Sequence, residues 1–163
     1  MQTTATLLHL AALLLSAEGA DGKLLFEDRF QKQLKDGWSW VREDRAAWRV
    51  TEKGLEIRTQ PGNMWGGAND AKNLLKRDAP VAEGKALEVK VTVTNAPTGQ
   101  YEQAGITWYH DDSNMVKLVK EQVNGKIHVV MGREEGDQTR TIALVPQPGT
   151  TFELRFRVAG HVR

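Results

Sequence analysis

The segment from Pro61 to Leu75 concentrates residue types that bind polar ligands. It reads Pro-Gly-Asn-Met-Trp-Gly-Gly-Ala-Asn-Asp-Ala-Lys-Asn-Leu-Leu and has neither helix nor strand periodicity. An exposed tryptophan can cover the apolar face of a pyranose ring, and neighbouring amides and carboxylates can take its hydroxyl groups. The loop therefore predicts a sugar-binding edge. The alternative is that Trp65 folds back over the core as a plug, because loop glycines commonly serve turns alone.

The strands on either side of the turn His110-Asp-Asp-Ser-Asn114 provide further polar side chains. Strand alternation leaves Lys117 and Glu121 on the face opposite the core, and antiparallel pairing brings polar residues of the preceding strand beside them. Tyr101 lies in a polar approach to that strand and is expected at the rim of a shallow groove. The alternative is a face that is merely solvated. Together with the loop, the predicted ligand-binding residues are Trp65, Asn69, Asp70, Tyr101, Gln103, Tyr109, Lys117 and Glu121.

The chain offers little for catalysis. It has no cysteine, and none of its serines lies in a Gly-x-Ser-x-Gly sequence. Glycoside hydrolysis needs two carboxylates across the scissile bond, and no strand here carries a dense Glu-x-Asp-x-x-Glu arrangement. We therefore expect no catalytic residues. If the groove does hydrolyse a sugar, Glu121 and Glu102 are the candidates for acid or base.

Metal ions, cofactors and nucleic acids receive little support. The four histidines are not at metal-ligand spacing, and Asp111-Asp112-Ser113-Asn114 is more typical of a turn than of a Ca²⁺ loop. Lys plus Arg number 22 and Asp plus Glu number 21, whereas DNA, RNA and anionic membranes attract a basic excess. We predict no metal, no cofactor and no nucleic-acid partner. The oligomeric state is not determined by these features.

The N-terminus carries an apolar run from Leu7 to Leu15, followed by the small-x-small sequence Ala17-Glu18-Gly19. The run is too short for a membrane-spanning helix, which argues against an integral membrane protein. It predicts a secretory signal peptide over residues 1–20, although no Lys or Arg precedes it. Residues 21–163 would then form a periplasmic or secreted domain. The alternatives are a frayed apolar N-terminus and a misassigned start.

Beyond residue 20 the chain alternates short strands with turns. Leu87 to Thr94 alternates strictly, and Asn124-Gly125 is the pair favoured in type I′ hairpins. No amphipathic helix, repeat or interdomain linker is evident. The 163 residues therefore predict a single all-β domain, an antiparallel jelly-roll β-sandwich. The predicted strands are Leu24–Phe30, Gly54–Arg58, Leu87–Thr94, Ala104–Tyr109, Met115–Gln122, Lys126–Met131, Thr139–Leu144 and Phe152–Val158.

The last of these strands has the alternation of a central strand, yet the sequence ends soon after it, at Arg163. A central strand has a neighbour on each side. Either the second neighbour is the N-terminal strand, or the chain lacks its last strand or two.

Several of these segments together resemble the concanavalin A-like lectin and glucanase superfamily. More narrowly, they resemble the secreted group related to the yeast regulation-of-enolase protein and to the C-terminal domain of family 43 β-xylosidases. The resemblance covers residues 24–160 and is most specific from Tyr101 to Lys117. The residues that carry it are Phe26-Glu-Asp-Arg-Phe30, Gly37-Trp-Ser-Trp40, Trp48-Arg-Val50, Gly54-Leu-Glu-Ile-Arg58, Gln100-Tyr-Glu-Gln-Ala-Gly-Ile106, Tyr109-His-Asp-Asp-Ser-Asn114, Met115-Val-Lys-Leu118 and Glu121.

The resemblance implies a jelly roll whose concave sheet faces carbohydrate. Combined with the residues above, it favours an exported carbohydrate-binding module without catalytic residues. Two alternatives stay open: a small secreted glycoside hydrolase that uses the same groove, and a module that docks onto a partner protein.

If the signal-peptide interpretation is right, the exported protein begins near Ala20 or Asp21. Intact-mass spectrometry of the secreted protein measures this directly. The variant Leu13→Arg interrupts the apolar run and should keep the chain in the cytoplasm with Met1 intact. An unprocessed cytoplasmic wild-type protein would contradict the prediction.

Overall fold

A computed structural model describes residues 7–17, 23–80 and 86–159, with residues 7–17 described by their backbone alone. Within these ranges the protein is built of antiparallel strands, and the one helical element is a 3₁₀ turn at Arg45–Ala47. The prediction of an all-β antiparallel sandwich is confirmed. The strands are β1 Leu7–Ala17, β2 Lys23–Asp28, β3 Trp38–Val41, β4 Trp48–Thr51, β5 Gly54–Arg58, β6 Leu74–Arg77, β7 Leu87–Thr94, β8 Gln103–Asp111, β9 Asn114–Val123, β10 Lys126–Glu135, β11 Gln138–Pro146 and β12 Thr151–Val158.

The strands form two main sheets and one small one. The larger sheet has the order β12-β7-β1-β5-β4, with β2 also paired to β1. The smaller main sheet is the meander β11-β10-β9-β8, and β3 pairs with β6 beside them. In a meander each strand pairs with its neighbour in the chain. The register of a meander therefore follows from its turns. The meander β11-β10-β9-β8 is the sheet that carries the predicted site.

The hairpin turns of the meander match their sequence. Asn124 and Gly125 have φ angles of 51° and 73°, the positive values that a type I′ turn requires, so that prediction is confirmed. Gly136 and Asp137, with φ of 54° and 64°, form the next hairpin in the same left-handed region. Both turns use residue types that tolerate this conformation.

The core lies between the two main sheets. Leu87, Val89, Val91 and Val93 are buried on one face of β7, as strict alternation predicts, and they pack against alternate residues of the facing sheet. Trp108 is half-buried against this core, in agreement with its apolar neighbours in the sequence. Alternate residues of β8, β9 and β10 therefore point away from the core.

The apolar N-terminal run, predicted to be a signal peptide, forms a strand inside the larger sheet. One edge of β1 pairs with β7. The other edge pairs with β5 through residues 7–10 and with β2 through residues 13–17. In the described part of the chain β1 is thus the connection between β7 and those two strands. The cleavage site predicted at residues 18–20 lies outside the described residues, and removal of the leader stays a prediction.

In the described part of the chain β12 pairs with β7 alone, so it lies at the sheet edge. The N-terminal strand lies on the opposite side of β7, so the alternative that it is the second neighbour of β12 is wrong. Leu154 and Phe156 are buried by the facing sheet, and this burial produces the alternation of β12 without a second strand neighbour.

If β1 belongs to the mature sheet and is not removed as a leader, deleting residues 1–20 should strongly destabilise the fold, because β7 would lose a hydrogen-bonded neighbour. In circular dichroism melting we expect the cooperative transition to disappear or its melting temperature to fall strongly. Leu14→Pro keeps the chain length but removes a hydrogen-bond donor from the middle of β1, and it should also lower the melting temperature. A truncated protein that melts like the full chain would show that β1 is dispensable.

Candidate functional site

The register of the smaller main sheet aligns polar residues on the face away from the core. Gln103 on β8 pairs with Glu121 on β9, which pairs with His128 on β10. Four residues earlier on β9, Lys117 pairs with Thr107 and Gly132 in the same way. We call the first set the polar row (Gln103, Glu121, His128) and the second the lysine row (Thr107, Lys117, Gly132).

Lys117 links the two rows through a buried ion pair. Its Nζ lies 3.5 Å from Glu121 Oε2 and donates to Gln103 Oε1 at 2.9 Å. Lys117 is 3% exposed and Glu121 5%, so the alternative of a merely solvated face does not describe these two residues. Burial lowers the pKa of Lys117, and the carboxylates of Glu121 and Glu134 oppose that shift. Removing either partner would leave a buried, uncompensated charge.

Trp65 rests on this outer face. A Cβ placed on Gly132 would lie 2.6 Å from Trp65 Cη2, so the indole occupies the space that any other residue would fill. Lys117 Nζ lies 4.4 Å from the centroid of the ring, a cation–π distance. Trp65 is half-buried and stands outside the core cluster between the sheets. It therefore lies over the lysine row, and the alternative of a plug over the core does not describe it.

The loop around Trp65 is closed by its own polar residues. Asn63 N donates to Asp70 Oδ1 at 2.7 Å, and Asp70 N returns a bond to Asn63 O at 2.9 Å. Trp65 N donates to Asn63 Oδ1 at 2.9 Å, and Gly66 N donates to Glu134 Oε1 at 3.0 Å. The last bond ties the loop to β10. Asp70 thus holds the loop in shape.

A second set of contacts joins the same loop to the β8–β9 turn. Arg42 binds Asp112 at 2.6 Å and Ala71 O at 2.7 Å. The Tyr109 hydroxyl donates to Asp112 Oδ1 at 2.9 Å, and the Asn69 amide, turned toward its acceptors, reaches Asp112 O at 2.9 Å. The Arg42 guanidinium holds the pKa of Asp112 below its ordinary value, and burial raises the pKa of Tyr109. The carboxylate is therefore ionised and the phenol neutral at pH 7.

Tyr101 is presented at the far end of the polar row. It is 61% exposed, and its φ of 62° lies in the left-handed region. Its N–H donates to Gln122 O at 2.8 Å, and its carbonyl accepts from Gln103 Nε2 at 3.2 Å. Glu102 stabilises the preceding turn by accepting from the N–H groups of Thr98 and Gly99 at 2.9 and 3.1 Å. An exposed aromatic is thus fixed in a conformation that is costly for a side chain with a Cβ.

A depression of about 1770 Å³ runs over this face and continues past β8 towards the space between the sheets. Asn69 and Asp70 are not among its lining residues, since their side chains bind the loop and the β8–β9 turn. A role for these two in ligand binding stays a prediction without geometric support. The six other predicted ligand-binding residues line the depression: Trp65, Tyr101, Gln103, Tyr109, Lys117 and Glu121.

The aspartates after β8 form a turn. Asp111 Oδ1 accepts from Ser113 N at 2.9 Å and from Asn114 Nδ2 at 2.8 Å, which is the pattern of an Asx turn. No group of three or more His, Asp or Glu side chains with the geometry to hold a metal ion is found among the described residues. The same residues include no helix that is long and apolar enough to cross a membrane.

Two residues of the site were missing from the sequence prediction. Gly132 provides the space for Trp65, and Glu134 anchors Gly66. His128 completes the polar row, and its Nδ1 lies 3.0 Å from Lys126 O. Gly132 had a usable signal, because an isolated glycine inside a strand indicates close approach of another group. Glu134 had none, since its partner is a backbone N–H of a distant loop.

The fold and this outer face define a concanavalin A-like β-sandwich. The family model for the beta xylosidase C-terminal concanavalin A-like domain matches residues 27–162. The chain therefore belongs to this family, and the resemblance inferred from the sequence is confirmed. It is a carbohydrate-related β-sandwich module. No curated protein sequence matches the chain.

The contact between Trp65 and Gly132 can be tested by a double-mutant cycle. Gly132→Val suits a strand, but its side chain would collide with the indole, and such overpacking costs about 1–3 kcal/mol. In a Trp65→Ala background the same substitution should cost little or nothing. Denaturant unfolding of the four proteins gives the coupling energy. Equal costs in both backgrounds would contradict the contact.

Proposed function

We propose that the domain is an exported carbohydrate-binding module without catalytic residues of its own, and that the depression on the outer face is its ligand site. The observation that carries the proposal is Trp65, half-exposed and in contact with the lysine row beside the polar row. An indole offers an apolar surface to one face of a sugar ring, while amide, imidazole and carboxylate groups take hydroxyls. Family membership supports the same chemistry.

The environment of the carboxylates argues for binding rather than hydrolysis. Glu121 is held by Lys117 in a buried ion pair, with its Oε2 3.5 Å from the Lys117 Nζ. Glu102 accepts two backbone N–H groups and a bond from Thr59 Oγ1, and it fixes the turn before Tyr101. Neither residue is presented as one of two carboxylates facing each other across an open bond-cleavage site.

Export and partners follow from the sequence. The apolar run and small-residue site support a periplasmic or secreted location. The near-balance of acidic and basic residues supports glycans rather than nucleic acids as partners. Intact-mass spectrometry of the N-terminus of the secreted protein is the measurement that tests export.

A glycan array probed with the full chain tests binding. We expect a defined set of oligo- or polysaccharides to bind, and Trp65→Ala to weaken binding about fivefold to tenfold through loss of stacking of order 1 kcal/mol. Leu24→Ala removes an exposed apolar side chain from a different strand and should leave binding unchanged. Circular dichroism melting checks that both variants fold.

The alternatives give different results in the same assays. Release of reducing sugar from a bound glycan, abolished by Glu121→Gln, would favour a glycoside hydrolase. Absence of both binding and turnover, together with a stable protein partner in pull-downs, would favour a docking module. Binding without turnover supports the proposal.

A further inference from the structure

The depression has two aromatic residues, one near each end of the strand that forms its floor. Trp65 lies over the lysine row, where Lys117 begins the polar part of β9. Tyr101 binds Gln122 through its backbone and is level with the end of β9 at Val123. From residue 117 to residue 123 a strand advances about 20 Å. Both aromatics line the same depression.

Tyr101 combines an exposed aromatic ring with a left-handed backbone that its neighbours hold in place. Left-handed backbone favours glycine or asparagine, and a residue with a larger side chain persists there only where the surroundings enforce it. Here the enforcement is extensive: Gln122 Nε2 donates to Thr98 O, and Gln100 bonds Asn124 through both its amide oxygen and its amide nitrogen. The ring itself is mostly exposed. The fold thus holds an exposed aromatic where a glycine would be less strained.

Between the two aromatics the floor alternates polar and apolar groups along β9. The Lys117 ammonium is paired with Glu121, and Gln103 and His128 complete the polar row with an amide and an imidazole. Between the two rows Val119 pairs with Val130, and both are apolar. The polar groups can take hydroxyls and the apolar step can face a sugar ring. Because the rows follow one another along β9, the depression is shaped for a ligand that is longer than one sugar ring.

We propose that the ligand is an extended glycan chain that lies along β9 and stacks on Trp65 at one end and on Tyr101 at the other, spanning several sugar units. This inference rests on the proposed carbohydrate-binding function and adds the length and direction of the ligand. It also gives Tyr101 the part of a second binding platform, so that two weak stacking contacts act on one chain.

Calorimetric titration with xylo- and cello-oligosaccharides, from the monosaccharide to the hexasaccharide, tests the proposal. For the wild-type protein, affinity should rise with length and level off once the chain reaches both aromatics. Tyr101→Gly should weaken binding of the longest chains about fivefold to tenfold and leave the shortest ones unchanged. Trp65→Ala should weaken binding at every length.

Stability provides the control for Tyr101→Gly. Glycine suits the left-handed backbone, so we expect the melting temperature to stay within about two degrees of wild type, as relief of strain offsets the freer unfolded chain. Lys32→Gly makes the same change at another exposed left-handed residue and should affect neither stability nor binding.

The outcomes separate the two proposals. Equal affinity for short and long chains, or a Tyr101→Gly loss that is the same at every length, would overturn the two-platform inference and leave carbohydrate binding standing. A large drop in melting temperature for Tyr101→Gly would also overturn it, since the ring would then be structural. Absence of binding at every length would contradict the proposed function itself.

Discussion

The antiparallel register of β8, β9 and β10 is the constraint on which the site depends. Because side chains alternate with a period of two, one register places Gln103, Glu121 and His128 side by side and puts Gly132 next to Lys117. A shift of one residue would turn these side chains into the core and bring apolar ones to the surface. The Asn124-Gly125 turn fixes the β9–β10 part of this register from the sequence between the two strands.

The loop around Trp65 depends on this sheet and also completes it. Gly132 leaves room for the indole, Glu134 accepts from Gly66, and Asp112 holds Arg42 and Asn69 at the other side. In turn Trp65 lies over Lys117, which is buried with Glu121 as an ion pair. Buried charges of this kind tolerate the loss of one partner poorly, so loop and floor form one structural unit.

The N-terminal segment has two interpretations that exclude each other in one molecule. Leu-rich and free of strong strand signals, it has the composition of a signal peptide, yet its backbone pairs with β7, β5 and β2. A segment that is cut off cannot connect these strands. Whether this segment is cleaved decides whether the larger sheet of the mature protein contains β1. The sheet that carries the depression has no backbone pairing with β1.

Local patterns in the sequence determined eight of the described strands, the hairpins and the face on which Lys117 and Glu121 lie, because alternation and turn chemistry act between near neighbours. They did not predict β1, β3, β4 or β6 as strands. The aromatic loop and six lining residues were also evident as chemistry. What only the tertiary structure decided is how that chemistry is arranged. The packing of the loop on the sheet gives Trp65 its place over Gly132 and joins Gly66 to Glu134. These contacts join residues far apart in the chain, and their geometry depends on how separate elements pack, which no local pattern encodes.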